Sequence, residues 1–118
     1  MKKLLNGIVI KDFKLFRMSG IALFPFIFVR TDTWKWVRRS NVLLNHERIH
    51  LHQQVEMLVL PFYIWYLIEY IFRLIQYKGS HTTAYRNISF EREAFDQESD
   101  LEYLKTRSRF SWVKYLSK

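Results

Sequence analysis

Short apolar runs in residues 7–30 predict β-strands near the start of the chain. Residues 8–10 and 13–16 are mostly apolar and are separated by a polar pair that suits a turn. A longer apolar and aromatic run extends from Ile21 to Val29. Because Pro25 has no backbone N–H, this last strand should lie at the edge of a sheet or be interrupted at the proline.

The next segment is patterned for helices. Ser40 or Asn41 can cap a helix that runs to about Leu60. Pro61 then either kinks this helix or begins a second one as its first residue. Residues 62–77 are apolar on nearly every side, which predicts a helix surrounded by apolar contacts.

The run from Leu58 to Ile75 is 18 residues long, which is close to the minimum for a membrane span. Pro61 near its start, and Glu69 and Arg73 within it, argue against a span. We therefore expect a helix packed under the sheet, with some of its tyrosines facing a membrane, a second subunit or a substrate groove.

The remainder of the chain predicts a polar linker at residues 80–87, a third helix from Ser89 to about Arg107 and a short amphipathic helix in the tail around Trp112. The expected core face of the third helix consists of Phe90, Ala94, Leu101 and Leu104. Together these elements predict an α+β fold in which a small antiparallel sheet precedes the helices. A length of 118 residues fits one domain, over residues 1–118.

The composition limits the classes of partner. Aromatic residues make up 18% of the chain, more than a small core easily hides, so an apolar surface patch is expected. The net charge is +8, and basic residues alternate with tryptophans in the segment 34–39, which suits a membrane interface better than a nucleic-acid groove. Nucleic-acid binding is therefore not expected. Because no cleavable secretory signal is recognisable, we expect a cytoplasmic protein that can lie peripheral to a membrane.

The segment His46-Glu47-Arg48-Ile49-His50 has the pattern HExxH. On a helix the two histidines lie about 40° apart on one face, close enough to bind one metal ion. Glu47 lies about 100° from His46, where a general base can take a proton from a water activated by the metal. Since the chain has no cysteine, the ligands must be histidines and carboxylates. The pattern predicts a zinc site, although another divalent metal could occupy the same ligands.

A catalytic zinc ion needs a third protein ligand. His52 lies about 240° around the helix from His46 and cannot join the site. Glu56 stands where a different zinc motif has its third ligand, but the glycine turn of that motif is missing. His81 in the linker remains an alternative. Glu91 is the best candidate, because it opens the third helix and two helices joined by a linker can bring it opposite the histidines.

HExxH followed about forty residues later by the helical segment Glu91-Arg92-Glu93-Ala94 resembles the gluzincin zinc peptidases. The nearest parallels are the membrane-associated members that include the CAAX prenyl proteases and the beta-lactam sensor peptidases. The resemblance implies a zincin-like fold in which His46, His50 and Glu91 bind zinc and Glu47 is the general base. It also implies that residues 20–30 supply an edge strand beside which an extended substrate lies.

The chain departs from the gluzincin pattern at Phe95, where those proteins usually have an aspartate that orients a ligand histidine. The orienting group is then expected to come from Asp96, Glu93 or Asn45. Tyr85, just before the ligand helix, is a candidate for stabilising an oxyanion.

These features predict a zinc-dependent hydrolase, expected to be a peptidase, which acts on a peptide or protein substrate. The alternative is a non-catalytic zinc-binding interaction protein associated with a membrane surface. A structural zinc site usually has four protein ligands, so a fourth ligand such as His81 would favour this alternative.

Overall fold

A computed structural model describes residues 5–10, 20–29 and 37–117 of the chain. The predicted strand at residues 13–16 and the tryptophans at 34 and 36 lie outside these ranges. Within them, the protein combines a small sheet with a set of helices, so the predicted α+β class is confirmed.

In the described part of the chain, three strands form a mixed sheet in the order β1-β3-β2, where β1 is Ile8–Ile10, β2 is Gly20–Leu23 and β3 is Phe26–Val29. Strands β2 and β3 are antiparallel, but β1 pairs with β3 in parallel. The prediction of an antiparallel sheet is therefore wrong for β1. The apolar pattern indicated that these residues are strands, whereas the direction of pairing depends on which distant strand they meet.

Pro25 lies in the turn between β2 and β3, so the apolar run is interrupted there, as one of the two alternatives predicted. The buried face of the sheet packs against the long helix that follows it. This first core is made of Ala22, Ile27, Val29, Leu44 and Leu51.

Within residues 37–117, five α-helices follow the sheet, with a short 3₁₀ helix in the tail. They are α1 (Val37–Glu56), α2 (Leu60–Gln76), α3 (His81–Arg86), α4 (Ser89–Gln97), α5 (Tyr103–Thr106) and the 3₁₀ helix Ser111–Tyr115. The chain leaves α1 through Leu58 and Val59, both at positive φ, and Pro61 lies in the first turn of α2. The proline therefore begins a second helix instead of kinking the first, and α2 ends shortly before Gly79, which has a φ of +86°.

Three predictions for the second half of the chain need correction. Helix α2 is not surrounded by apolar contacts under the sheet, because most of its large apolar side chains are exposed. The expected polar linker contains helix α3, and the expected third helix ends at Gln97 instead of continuing to about Arg107. The side-chain amide of Asn45 donates to the carbonyls of Gln97, Glu98 and Asp100, so a contact from α1 satisfies the backbone where α4 ends. Leu101 is consequently exposed instead of lying in the core.

A second core joins α2, α4 and the tail. Phe62, Ile88, Phe90 and Trp112 are buried together, and several partly buried aromatic side chains surround them. The tail prediction is confirmed in this respect, because Trp112 and Tyr115 are buried on the inner side of the 3₁₀ helix.

Among the described residues no single helix has the length and apolar composition to cross a membrane. Helix α1 (from Asn41) and α2 have the required length and composition only when the two are taken together. The two helices are bent by 111° relative to each other at the break between them.

Helix α2 turns its two charged side chains inward. Glu69 accepts hydrogen bonds from the backbone N–H and, at 2.6 Å, from the hydroxyl of Ser89, the first residue of α4. Arg73 donates to the carbonyl of Leu116 at 2.8 Å. Thus α2 holds both the start of α4 and the tail through buried polar contacts.

We expect Glu69→Ala to lower the free energy of unfolding by about 2–4 kcal/mol, because it leaves the buried Ser89 donors without their acceptor and removes the ion pair that Glu69 forms with the buried Arg73 at 3.8 Å. Chemical denaturation followed by circular dichroism measures this change. The matched control is Glu102→Ala, which removes an exposed ion pair with Lys105 and should cost less than about 1 kcal/mol. Equal effects of the two substitutions would contradict the structural role of Glu69.

Candidate metal centre

Three ligand atoms from two helices converge on one point. Nε2 of His46 lies 3.1 Å from Oε1 of Glu91, Nε2 of His50 lies 3.0 Å from the same oxygen, and the two Nε2 atoms are 3.2 Å apart. All three side chains are buried. The structure thus brings together the three residues that the sequence predicted as ligands.

The helices explain this convergence. His46 and His50 lie one turn apart on α1, and Glu91 lies in the first turn of α4. Ala94, one turn further along α4, is fully buried. Its small side chain suits close contact with neighbouring helices.

The alternative ligands lie elsewhere. His81 is exposed and its Nδ1 is 2.8 Å from the hydroxyl of Tyr70. Glu56 is paired with Arg107. Among the described residues, the possible metal ligands at this site are His46, His50 and Glu91.

The spacing of the ligand atoms fits a zinc-sized ion. Ligands at about 2.0–2.1 Å from a tetrahedral zinc ion lie about 3.3–3.4 Å from one another. The observed separations of 3.0–3.2 Å are close to this value. The three ligand atoms lie a few tenths of an ångström closer together than they would around a zinc ion. Only a small outward movement of the three side chains is therefore needed to hold an ion.

Gln53 determines which nitrogen of His50 carries its proton. The side-chain N–H groups of Gln53 donate to the carbonyl of Phe90 at 3.1 Å and to Glu93 at 2.9 Å. Its oxygen must therefore accept from Nδ1 of His50, which is 2.8 Å away. In the neutral ring, Nε2 then presents a lone pair to the cluster, which is the form that a metal ligand needs.

His46 is oriented by different contacts. Its Nδ1 faces Oε1 of Glu98 at 3.6 Å, and Asn45 fixes the backbone of Glu98 at the end of α4. The ring of Phe95 packs edge-on against the His46 ring, with 4.6 Å between centroids. Phe95, which stands in the place of the expected aspartate, thus restrains the ring by packing.

The three predicted orienting residues have different outcomes. Glu93 acts only through Gln53, and Asn45 acts only through the backbone beside Glu98. Asp96 instead accepts a hydrogen bond from Tyr115. Gln53 lies three residues after His50 on the same helix face, so its role could have been inferred from spacing.

Tyr66 is a site residue that the sequence did not reveal. Its hydroxyl donates to Oε2 of Glu91 at 2.7 Å. This contact holds one carboxylate oxygen and leaves Oε1 directed at the histidines. Tyr66 lies on α2, and no motif or spacing connects it with Glu91.

Glu47 is buried beside the cluster and next to strand β2. Burial raises the pKa of its carboxyl group, although the nearby histidines oppose the shift. A Cβ atom added to Gly20 would lie 3.4 Å from Oε2 of Glu47 and 3.3 Å from the carbonyl of Phe28. Within the described ranges no hydrogen bond occupies the Glu47 carboxylate. The carboxylate of Glu47 is therefore free to accept a proton from a group bound at the cluster.

Tyr85 is half-buried on α3. Burial and the negative charges of Glu91 and Glu47 raise the pKa of its hydroxyl. The hydroxyl therefore stays protonated at neutral pH and is a hydrogen-bond donor near the two carboxylates.

The surroundings raise the pKa of both histidines in the metal-free chain. Burial disfavours their charged form, but hydrogen bonds and charges from the surrounding carboxylates outweigh it and raise the pKa of His46 to about 10. The pKa of His50 is raised as well, and that of Glu91 is lowered by the two histidines against the effect of burial. For His46 this contribution to stability is complete below about pH 6.5 and is lost as the pH rises through about 10.

No family model, curated protein or solved structure matches the chain. The resemblance to gluzincins therefore stays a prediction. Any function must therefore be inferred from the chemistry of the residues at this site.

Zinc affinity is expected to rise with pH, because the imidazoles that are protonated in the metal-free chain must release protons to bind a metal. Competition with a chromophoric chelator between about pH 6 and 8 measures the affinity, and calorimetry in buffers of different ionisation enthalpy counts the protons. His46→Ala should abolish binding of about one ion per chain, whereas His52→Ala, on another face of α1, should retain it. A pH-independent affinity would show that the histidines are not the ligands.

Gln53→Ala is expected to weaken metal binding by about 10–100-fold, because His50 loses the acceptor that fixes its tautomer. The matched control is Gln54→Ala. Gln54 is equally buried but contacts Phe24 and Ala22 in the β2–β3 hairpin instead of a histidine. Its substitution should destabilise the fold and leave metal affinity within about threefold. Equal losses of affinity in both variants would mean that Gln53 acts only through general stability.

Proposed function

We propose that the protein is a zinc-dependent hydrolase that cleaves peptide bonds, with Glu47 as general base. One observation carries this proposal: three ligand atoms of the HExxH-plus-glutamate type meet beside a buried carboxylate that has no hydrogen-bond partner among the described residues. A purely structural site has no need for this carboxylate.

The ligand set supports a catalytic use of the metal. Catalytic zinc sites have three protein ligands and keep one position open, whereas structural sites are usually closed by four. His46, His50 and Glu91 would hold the ion. When bound, zinc acts as a Lewis acid that polarises a carbonyl group and lowers the pKa of water to about 7.

Glu47 and Tyr85 supply the proton chemistry in this proposal. Burial raises the pKa of Glu47, which makes its carboxylate a better proton acceptor, and the acid form can then donate to the leaving amine. The Tyr85 hydroxyl remains protonated and donates a hydrogen bond to negative charge that develops on the substrate oxygen. Tyr66 and Gln53 are positioning residues, because they act through Glu91 and His50.

An extended peptide is the substrate class that the surroundings favour. Strand β2 lies at one edge of the described sheet, and Gly20 brings its backbone close to Glu47. A peptide that adds to such an edge is held by main-chain hydrogen bonds along its length. Cleavage beside Glu47 would then be governed by how the peptide aligns on β2.

The alternative function, non-catalytic zinc binding, is favoured by the low exposure of the site. His46, Glu47 and His50 are each 5% exposed and Glu91 is 4% exposed. Substrate access then requires movement of the residues that cover them. The absence of a fourth ligand among the described residues speaks against this alternative.

Glu47→Gln is expected to retain zinc and to lose about 10²–10⁴-fold in hydrolysis, because it keeps the shape of the side chain but cannot accept the proton. A quenched-fluorescent peptide library measures the activity, and chelator competition measures the zinc. Glu102→Gln, on the exposed surface, is the control.

Full hydrolytic activity in Glu47→Gln would contradict the proposed mechanism. Stoichiometric zinc in a wild-type protein that cleaves nothing in the library would favour the non-catalytic alternative.

A further inference from the structure

Helix α2 has an inverted distribution of polarity. Its two charged residues, Glu69 and Arg73, are buried, whereas its exposed positions are almost entirely apolar. A surface helix of a water-soluble protein shows the opposite arrangement. Charged groups that face the protein interior while apolar groups face outward are typical of segments in contact with lipid.

The exposed side of α2 forms one continuous surface, which we call the apolar face. Of its ten exposed positions only Gln76 is polar. The 17-residue helix is about 25 Å long, so the face extends well beyond the small patches found on most monomeric proteins. Its large side chains are Leu60, Ile64, Trp65, Leu67, Ile68, Ile71, Phe72 and Ile75, each 40–75% exposed.

The charge of the molecule complements an anionic lipid surface. The chain has a net charge of +8. Among the described residues, four glutamates (Glu47, Glu69, Glu91 and Glu93) are buried but only one lysine or arginine, Arg73, is buried, so the described surface carries more basic than acidic side chains. Lys78 is exposed just beyond the end of α2. Basic groups just beyond the end of a membrane-contacting helix are attracted to the headgroups of anionic lipids.

The chemistry of the apolar face fits acyl chains better than a protein partner. The hydroxyls of Tyr63, Tyr66 and Tyr70 are all engaged by Gln54, Glu91 and His81 of this chain. The face therefore offers few groups for the hydrogen bonds that protein interfaces form about once per 100–200 Å². It also lacks the small residues that allow two helices to pack closely within a bilayer.

We propose that the apolar face of α2 inserts among the acyl chains of an anionic lipid bilayer. The opposite side of α2, where Tyr66 contacts Glu91 and Glu69 holds the start of α4, then lies outside the hydrocarbon, close to the membrane surface. The proposal does not depend on zinc or on hydrolysis, and it can be tested in the metal-free chain.

The test is co-sedimentation of the full chain with phosphatidylglycerol–phosphatidylcholine vesicles and with phosphatidylcholine vesicles, at low and high salt. Anionic vesicles should bind the chain more tightly, and salt should reduce the difference. The substitutions Ile68→Gln and Phe72→Gln should each weaken binding by about 10-fold or more, because each removes a large side chain from the hydrocarbon. Leu101→Gln, exposed outside α2, is the matched control and should bind as the wild type does.

Depth of insertion provides a second measurement. Lipids brominated on their acyl chains should quench Trp65, and Trp65→Phe should remove part of the quenching. Thermal unfolding confirms that the variants fold.

Failure of the wild type to bind anionic vesicles, or equal binding by Ile68→Gln, Phe72→Gln and Leu101→Gln, would overturn the proposal. So would a stable dimer in analytical ultracentrifugation that ignores vesicles and dissociates in the Phe72→Gln variant, since a second copy would then cover the face.

Discussion

The contact between the Glu91 carboxylate and the two histidines is the interaction on which the site and much of the fold depend. Oε1 of Glu91 lies within 3.1 Å of both Nε2 atoms, in a buried position where an uncompensated charge would be costly. Tyr66 engages the other oxygen, so α1, α2 and α4 meet at one carboxylate. The geometry that can hold a metal ion is thus also the geometry that joins the three helices.

The surroundings of this contact form a chain of buried polar groups. His50 is held by Gln53, Gln53 by Glu93, and Glu93 by Arg107. Arg107 also pairs with Glu56 at the end of α1. Each member satisfies the next, which is the condition under which buried polar groups can be tolerated. Residues far from the ligands therefore restrain the orientation of His50.

Helix α2 has two roles because its two sides differ in chemistry. Its inner side carries Tyr66 and Glu69, which position Glu91 and the start of α4. Its outer side is apolar, with Ile68 and Phe72 each about 60% exposed. At the sequence level this helix was nearly uniform in hydrophobicity, so the division between an inner and an outer side could not be predicted without knowing what α2 packs against.

The sequence alone determined the local features: the HExxH pattern on one helix, an interruption of the helical run at Pro61 and the helix end near Gly79. These depend on interactions within a few residues, which spacing and residue type encode. Only the tertiary structure brought Glu91, and not His81, to the histidines, recruited Tyr66, ended α4 at Gln97 and paired β1 in parallel with β3. Each of these depends on a contact between residues distant in the chain, and a local pattern contains no information about which distant partner will be met.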